Sequence, residues 1–373
     1  MTKSIFKKIN IPLFILIFLL EIISLISIKS AEKLLPSYMQ DLFWKQLIWY
    51  TIGYLFIIFV LHFKSQFLYK NIWFFYWLFN GLLFLLLLFG TPINDAKCWF
   101  TIPGIGSFQP SEFMKITLII IEGTMIQKFF SDHQNPTWKQ ELLFLCKIGL
   151  VLLFPCFLTF LEPDTGVVLI YLLITFVMLF ISGFHYRWFL IIILLIVFFL
   201  SILLGIYFLN QNLFLNLFGT SFFLRIDRLL DWSQKSGFQL ENGMMSIGSG
   251  GLFGNGFLKT PIYFPEPQTD FIFAVYASNF GFIGSIFLIG LITYFDYSII
   301  KVALNAKEMI HKYIISGILG MLIYQQVQNI GMTFGLMPIT GITLPFISYG
   351  GSSLLSYMIM LGIVFSISSE RYH

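Results

Sequence analysis

The sequence predicts an all-α polytopic membrane protein with about ten transmembrane helices. Both termini are expected on the cytoplasmic side, with one long extracellular loop between spans seven and eight. Three observations carry that reading. Apolar residues make up 58% of the 373 and charged residues only 11%, whereas a soluble domain keeps roughly a quarter charged to cover its surface. The mean hydropathy is +0.86. Apolar stretches recur, moreover, at the roughly 20-residue length that one bilayer crossing needs. The formal charge of +4 is spread without a basic run or stripe, so no nucleic-acid partner is expected. Cys98, Cys146 and Cys156 are too few and too scattered for a disulfide or zinc framework.

The expected spans are Ile11–Ile28, Trp44–His62, Asn71–Gly90, Glu112–Phe130, Leu143–Phe160, Thr165–Ile181, Tyr186–Leu209, Phe271–Ile299, Lys312–Phe334 and Gly351–Ser368. The first follows Lys3, Lys7 and Lys8. It is too long for a signal-peptide h-region and lacks a small-residue cleavage site, so it reads as a retained span. With the N-terminus inside, the short outer loops hold only Lys29, Lys33, Lys45 and Lys97. The remaining short-loop cations, from Lys64 to Arg371, fall inside, as the positive-inside rule requires. The whole chain, 1–373, reads as one transmembrane domain carrying the loop 210–270. That loop opens with an apolar stretch, Leu213–Trp232, interspersed with Arg225, Asp227 and Arg228, which suggests a helix lying in the interface. A glycine-rich run, Gly243–Gly256, follows.

This orientation brings the five histidines to or near the inner face and leaves carboxylates at the outer ends of spans. Acid–base chemistry outside must then use Glu112, Glu162, Asp164, Glu266 or Asp270. Ser111 after Pro110 is a candidate N-cap of the fourth span. Glu112 and Lys115, three apart on one helix face, can pair. The pair is either structural or the mark of a polar cavity, since ionisable groups in a span are costly. Asp164 either caps the sixth span or joins the same cavity. Asp270 closes the long loop against a long apolar helix, where partial burial raises a carboxyl's proton affinity. It is the first candidate for a general base. The run Gly248–Gly256 allows close approach of phosphate to backbone N–H groups, and serves equally as a hinge. Gln326 and Asn329 in the ninth span, and Ser348, Gly350 and Ser352 at the opening of the tenth, add polar and non-helical character at the same level, where protein or a wet cavity must satisfy it.

Four segments in order, Gln109–Lys115 (QPSEFMK), Glu162–Gly166 (EPDTG), Gly248–Val275 (GSGGLFGNG through PEPQTDFIFAV) and Asn329–Ser353 (NIGMTFGLMPITGITLPFISYGGSS), resemble those of the SEDS family. These are the shape, elongation, division and sporulation proteins RodA, FtsW and SpoVE, and the glycine-rich segment is most similar to RodA. Two places depart from the family pattern. Asn94–Trp99 reads NDAKCW where the family often has NGAKRW, and Ser278 and Asn279 stand where many members carry acids.

The resemblance implies a peptidoglycan glycosyltransferase of the bacterial cytoplasmic membrane that polymerises lipid II on the outer face. It implies release of undecaprenyl pyrophosphate and work beside a class B penicillin-binding protein. It assigns catalysis to Asp270 and substrate contacts to Glu112, Lys115 and Asp164. Leaving-group charge is then met by Lys97, Lys115, Arg225 or Arg228, or by a divalent cation, Mg or Mn. Two other functions stay open at this point, a lipid II transporter and a membrane scaffold for a penicillin-binding protein.

Overall fold

The computed structural model describes residues 10–90, 97–102, 106–231 and 237–370. Among the described residues, thirteen α-helices make up nearly all of the regular structure. They are α1 (Ile11–Ala31), α2 (Leu42–Phe63), α3 (Ser65–Lys70), α4 (Ile72–Phe89), α5 (Pro110–Asp132), α6 (Trp138–Leu161), α7 (Thr165–Ser182), α8 (Tyr186–Leu209), α9 (Gln211–Asp231), α10 (Phe238–Ser249), α11 (Ile272–Leu304), α12 (Met309–Thr333) and α13 (Gly351–Ser369). A hairpin of β1 (Phe100–Ile102) and β2 (Gly106–Phe108), paired antiparallel, precedes α5. Each of the ten apolar stretches forms a helix. Among the described residues, eight are long and apolar enough to cross a membrane. The other two, α5 and α12, are as long but carry polar side chains, and both sit deep in the bundle.

Helix boundaries follow local chemistry. The Asn10 side chain caps α1 by accepting from the Leu13 N–H. A Thr137/Gln140 capping box opens α6. The Asp164 carboxylate caps α7, which ends at Gly183 in the left-handed region, φ 94°. Ser111 is not the cap expected from sequence. Pro110, with no N–H to satisfy and φ preset for a helix, starts α5 itself; Gln109 takes the cap position and Ser111 is buried within the first turn.

At one end of the bundle α1, α4, α6, α8 and α12 finish and α2, α5, α7, α11 and α13 begin, and the loop 210–270 belongs to that end. Here α11 departs from a simple span. Its backbone breaks at Gly281 (φ 68°, ψ −162°). The leading segment, 272–280, is almost wholly buried. It runs from Asp270, held by Asn329 near the end of α12, to Asn279, whose amide donates to Ser30 in the last turn of α1. It therefore crosses the end of the bundle rather than the bilayer. The glycine-rich loop repairs the break. The Phe282 and Ile283 N–H groups donate to the carbonyls of Gly251 (2.9 Å) and Leu252 (3.1 Å). The Asn255 and Gly256 N–H groups donate in turn to the carbonyls of Ser278 (2.9 Å) and Asn279 (3.0 Å). A Cβ at Gly254 would lie 2.1 Å from the Asn279 oxygen. The glycines are thus spent on close approach to a broken helix, not on phosphate.

Helix α8 stands apart, exposed along most of its length. Its end forms a separate small cluster, Tyr207 and Phe214 with Leu203, Ile206, Phe222 and Phe223, against α9. That helix bends at Gly219 (φ 80°).

Candidate active site

Asp270 sits one residue ahead of Phe271, the N-cap of α11, on a turn whose carbonyls are pinned in succession. Gln268 C=O accepts from the Tyr349 N–H (2.9 Å). Thr269 C=O accepts from the Ser348 hydroxyl (2.6 Å), and Asp270 C=O accepts from the Asn329 amide (2.9 Å). The same Asn329 nitrogen donates to Ile342 C=O (2.8 Å), and Ser348 Oγ accepts from the Leu344 N–H (2.8 Å). The backbone under the carboxyl is therefore tied directly to Ser348 and Tyr349 and, through Asn329, to Ile342, while the side chain stays half-buried. Gly341, at φ 71°, faces it: a Cβ there would lie 3.7 Å from Asp270 Oδ2. Surrounding protein first, and the Glu266 charge second, push the Asp270 carboxyl up to about 7 from 3.8. Glu266 is itself held in the turn, accepting from Thr269 Oγ1 (2.7 Å) and Gln268 Nε2 (2.9 Å).

A second polar centre lies across the 340–342 segment. A Cβ at Gly166 in the first turn of α7 would come 2.9 Å from Thr340 C=O, so this segment is packed between the two centres. Lys115 and Glu112 pair at 2.7 Å, both buried. The Lys115 ammonium also lies 5.4 Å from the centre of the Tyr357 ring, and Ser356 Oγ approaches Glu112 at 3.4 Å. Asp164 accepts from Gln109 Nε2 (2.9 Å) and the Val167 N–H (3.1 Å). Its carboxyl is raised to about 6, chiefly by burial, with the Glu112 charge adding and Lys115 opposing. Asp164 is thus at once a helix cap and a neighbour of the ion pair.

The other residues singled out from sequence are placed as follows. Ser352 Oγ accepts from the Gln109 N–H (3.0 Å) and donates to Ser107 C=O (3.1 Å), joining α13 to the hairpin and α5. The Gly350 N–H donates to Gln46 (3.3 Å). Gln326 pairs with Asp296 (3.1 Å) farther inside the bundle. Lys97 is exposed, and the side chains of Arg225 and Arg228 lie outside the described part of the structure. Gly341 enters as a neighbour of Asp270 only with the tertiary structure, whereas Glu162 and Glu266 were already among the outer carboxylates of the sequence. Glu162 is fully buried, and neither of its carboxyl oxygens meets a partner among the described residues. Burial, then the Asp164 charge, raise it to about 9. No short-range spacing announces Gly341, because it stands 71 residues from Asp270 in the chain and meets it through backbone shape. Among the described residues no three His, Cys, Asp or Glu side chains gather as metal ligands.

This arrangement offers two half-buried carboxyls with proton affinity raised toward neutrality, Asp164 and Asp270, the latter on a pinned turn, and beside them a buried cation–carboxylate pair. It can remove a proton from a hydroxyl and, with the chain's apolar surfaces, hold a lipid-linked molecule at the membrane boundary.

Residues 10–373 match the model of the FtsW, RodA and SpoVE family, described as cell cycle proteins. The chain is 34% identical to stage V sporulation protein E of Bacillus subtilis, over 76% of this chain and 74% of that one. It is 30% identical to the peptidoglycan glycosyltransferase RodA of Treponema pallidum, over 79% and 82%. Among solved structures it is similar to a chain of a peptidoglycan synthase complex that coordinates polymerization and crosslinking (TM-score 0.77, 26% identity, 98% and 99% covered). It is also similar to the rod shape determining protein RodA of Thermus thermophilus (TM-score 0.68, 26% identity, 98% of each chain). The apolar helices and these relatives mark a multi-pass protein of the bacterial cytoplasmic membrane. With a family model matching almost end to end and the expected motifs gathered at one end of the bundle, this chain belongs to the FtsW, RodA and SpoVE family of cell cycle proteins.

Proposed function

We propose that the chain polymerises lipid II into glycan strands at the outer face of the cytoplasmic membrane, with Asp270 as the general base. The observation that carries this is the Asp270 carboxyl: half-buried, its proton affinity raised to about 7, on a turn fixed through three successive carbonyls. In this reading the site end faces outward, both termini face the cytoplasm, and α5 and α12 complete ten spans. Asp270 takes the proton of an acceptor sugar hydroxyl as its oxygen attacks the donor's anomeric carbon. The bond to pyrophosphate breaks, undecaprenyl pyrophosphate leaves with the electron pair, and Asp270 later gives its proton to water. One base and one displacement invert the anomeric centre; a pyrophosphate leaves without a general acid. Glu112, Lys115 and Asp164 border the lipid-linked substrate, and the buried Lys115 is the described cation best placed to meet phosphate charge. Asn329 and Ser348 act through the backbone they hold. The crosslinking partner in this reading is a class B penicillin-binding protein.

The polar residues deeper in the bundle argue against a transport path. Gln326 with Asp296, Gln325 with Tyr357 and Glu122 with Thr175 are tied to each other. The test is Asp270→Asn in purified protein with labelled lipid II. Loss of a general base predicts a fall of about 10²–10⁴-fold with an unfolding temperature no lower than the parent's, since a raised carboxyl is removed. Near-normal polymer would remove Asp270 from this role.

A further inference from the structure

The glycine-rich segment that splints α11 also carries large apolar side chains the splint does not use. Leu252, Phe253 and Phe257 are 61%, 79% and 47% exposed. Through the bond from the Ile283 N–H to Leu252 C=O they stand beside the first turn of the long segment of α11, where Phe282 and Ile283 are 59% and 53% exposed. From 282 to 304 that segment is about 34 Å long at 1.5 Å per residue, enough for the roughly 30 Å hydrocarbon core. Its exposed apolar face is therefore the lipid-facing surface. The Leu252–Phe257 patch adjoins that surface where the span begins, joined to it by the Ile283–Leu252 bond. Lys259, exposed two residues beyond Phe257, adds a cation at the edge of the patch. Apolar side chains flanked by a cation suit the boundary between acyl chains and phosphate headgroups.

We propose that Leu252, Phe253 and Phe257 insert into the lipid leaflet at this end of the bundle, with Lys259 on the headgroup phosphates. The glycine-rich segment is thus a membrane anchor as well as a splint. The anchor has a consequence that rests on the catalytic reading of Asp270. The splinted segment 272–280 carries Asp270 at its head, so anchoring holds the carboxyl at a set depth relative to the phosphates of membrane-borne lipids.

The insertion itself is tested apart from activity. The full chain, with Cys146→Ala to remove the exposed thiol and with Cys98 and Cys156 left buried, is reconstituted in vesicles of mixed zwitterionic and anionic phospholipid. It carries a nitroxide on Phe253→Cys or Phe257→Cys. Collision with oxygen, which partitions into lipid, is compared with collision with a water-soluble nickel chelate. Phe282→Cys serves as the lipid reference and Glu241→Cys, on the exposed face of α10, as the aqueous one. The labels at 253 and 257 should match 282. A match to 241, or shielding from both reagents as a covering protein partner would give, overturns the anchor. Neither result bears on Asp270, whose role is decided by the Asp270→Asn assay.

Discussion

Glu266→Gln removes one negative charge from beside Asp270 while keeping a side-chain oxygen that can accept from Thr269 or Gln268. The Asp270 carboxyl stands at about 7 against 3.8 in the open, a rise of about 3 pH units. Burial supplies the larger part, so the Glu266 charge accounts for less than about 1.5, and its loss should lower the midpoint by about one unit. In the proposed mechanism ionised Asp270 is the reactive form, so the rate of the parent chain should rise with pH through about 7. At pH 6 roughly one-tenth of the parent molecules carry the carboxylate, against roughly half when the midpoint is near 6. The variant should then polymerise lipid II about fivefold faster at pH 6 and equally fast above about pH 8. The assay is initial polymerisation rate across that range with purified protein and labelled lipid II. An acidic limb that stays in place, or moves to higher pH, refutes the account of Asp270; an equal loss at every pH points to a damaged turn.

Three further outcomes follow from the geometry. Asn329→Leu leaves the carbonyls of Asp270 and Ile342 without their shared donor in a fully buried position. It should cost about 1–3 kcal/mol of stability for each carbonyl left unpaired and lower kcat more than KM for lipid II. Gly254→Ala forces a Cβ against the Asn279 carbonyl at φ 85°; the splint should open, read as faster amide exchange at Phe282 and Ile283. Glu162→Gln tests the buried acid. Its folded proton affinity is raised from 4.5 to about 9, so its contribution to stability is fully present below about 4.5 and fades as pH climbs through about 9. At pH 7 the parent therefore forgoes about 3 kcal/mol that the neutral amide keeps. Thermal unfolding in detergent should show the variant gaining on the parent as pH rises, and parallel curves would contradict it.

How much was legible in the sequence differs by residue for a physical reason. The ten apolar stretches became helices because backbone in lipid has no water to bond with, so length and composition alone select the element. The placement of Glu112 and Lys115 on one face follows from helical period, and they pair as that period requires. Asp164 was readable as a cap from its neighbours in the chain. Sequence could not read the break at Gly281, the lateral course of 272–280, or the bonding of the glycine-rich run to that break. Each depends on backbone groups 23 or 31 residues apart supplying one another's missing hydrogen bonds.

By itself, then, the chain determined a bundle of membrane helices and which carboxylates would sit at their ends, since the solvent of each segment is written in its own side chains. Tertiary structure alone decided how strongly each of those carboxyls holds its proton. Proton affinity depends on what surrounds a group in space, and Asp270 owes its surroundings to Glu266, Asn329, Gly341 and Ser348, three of which join it only after the chain has folded.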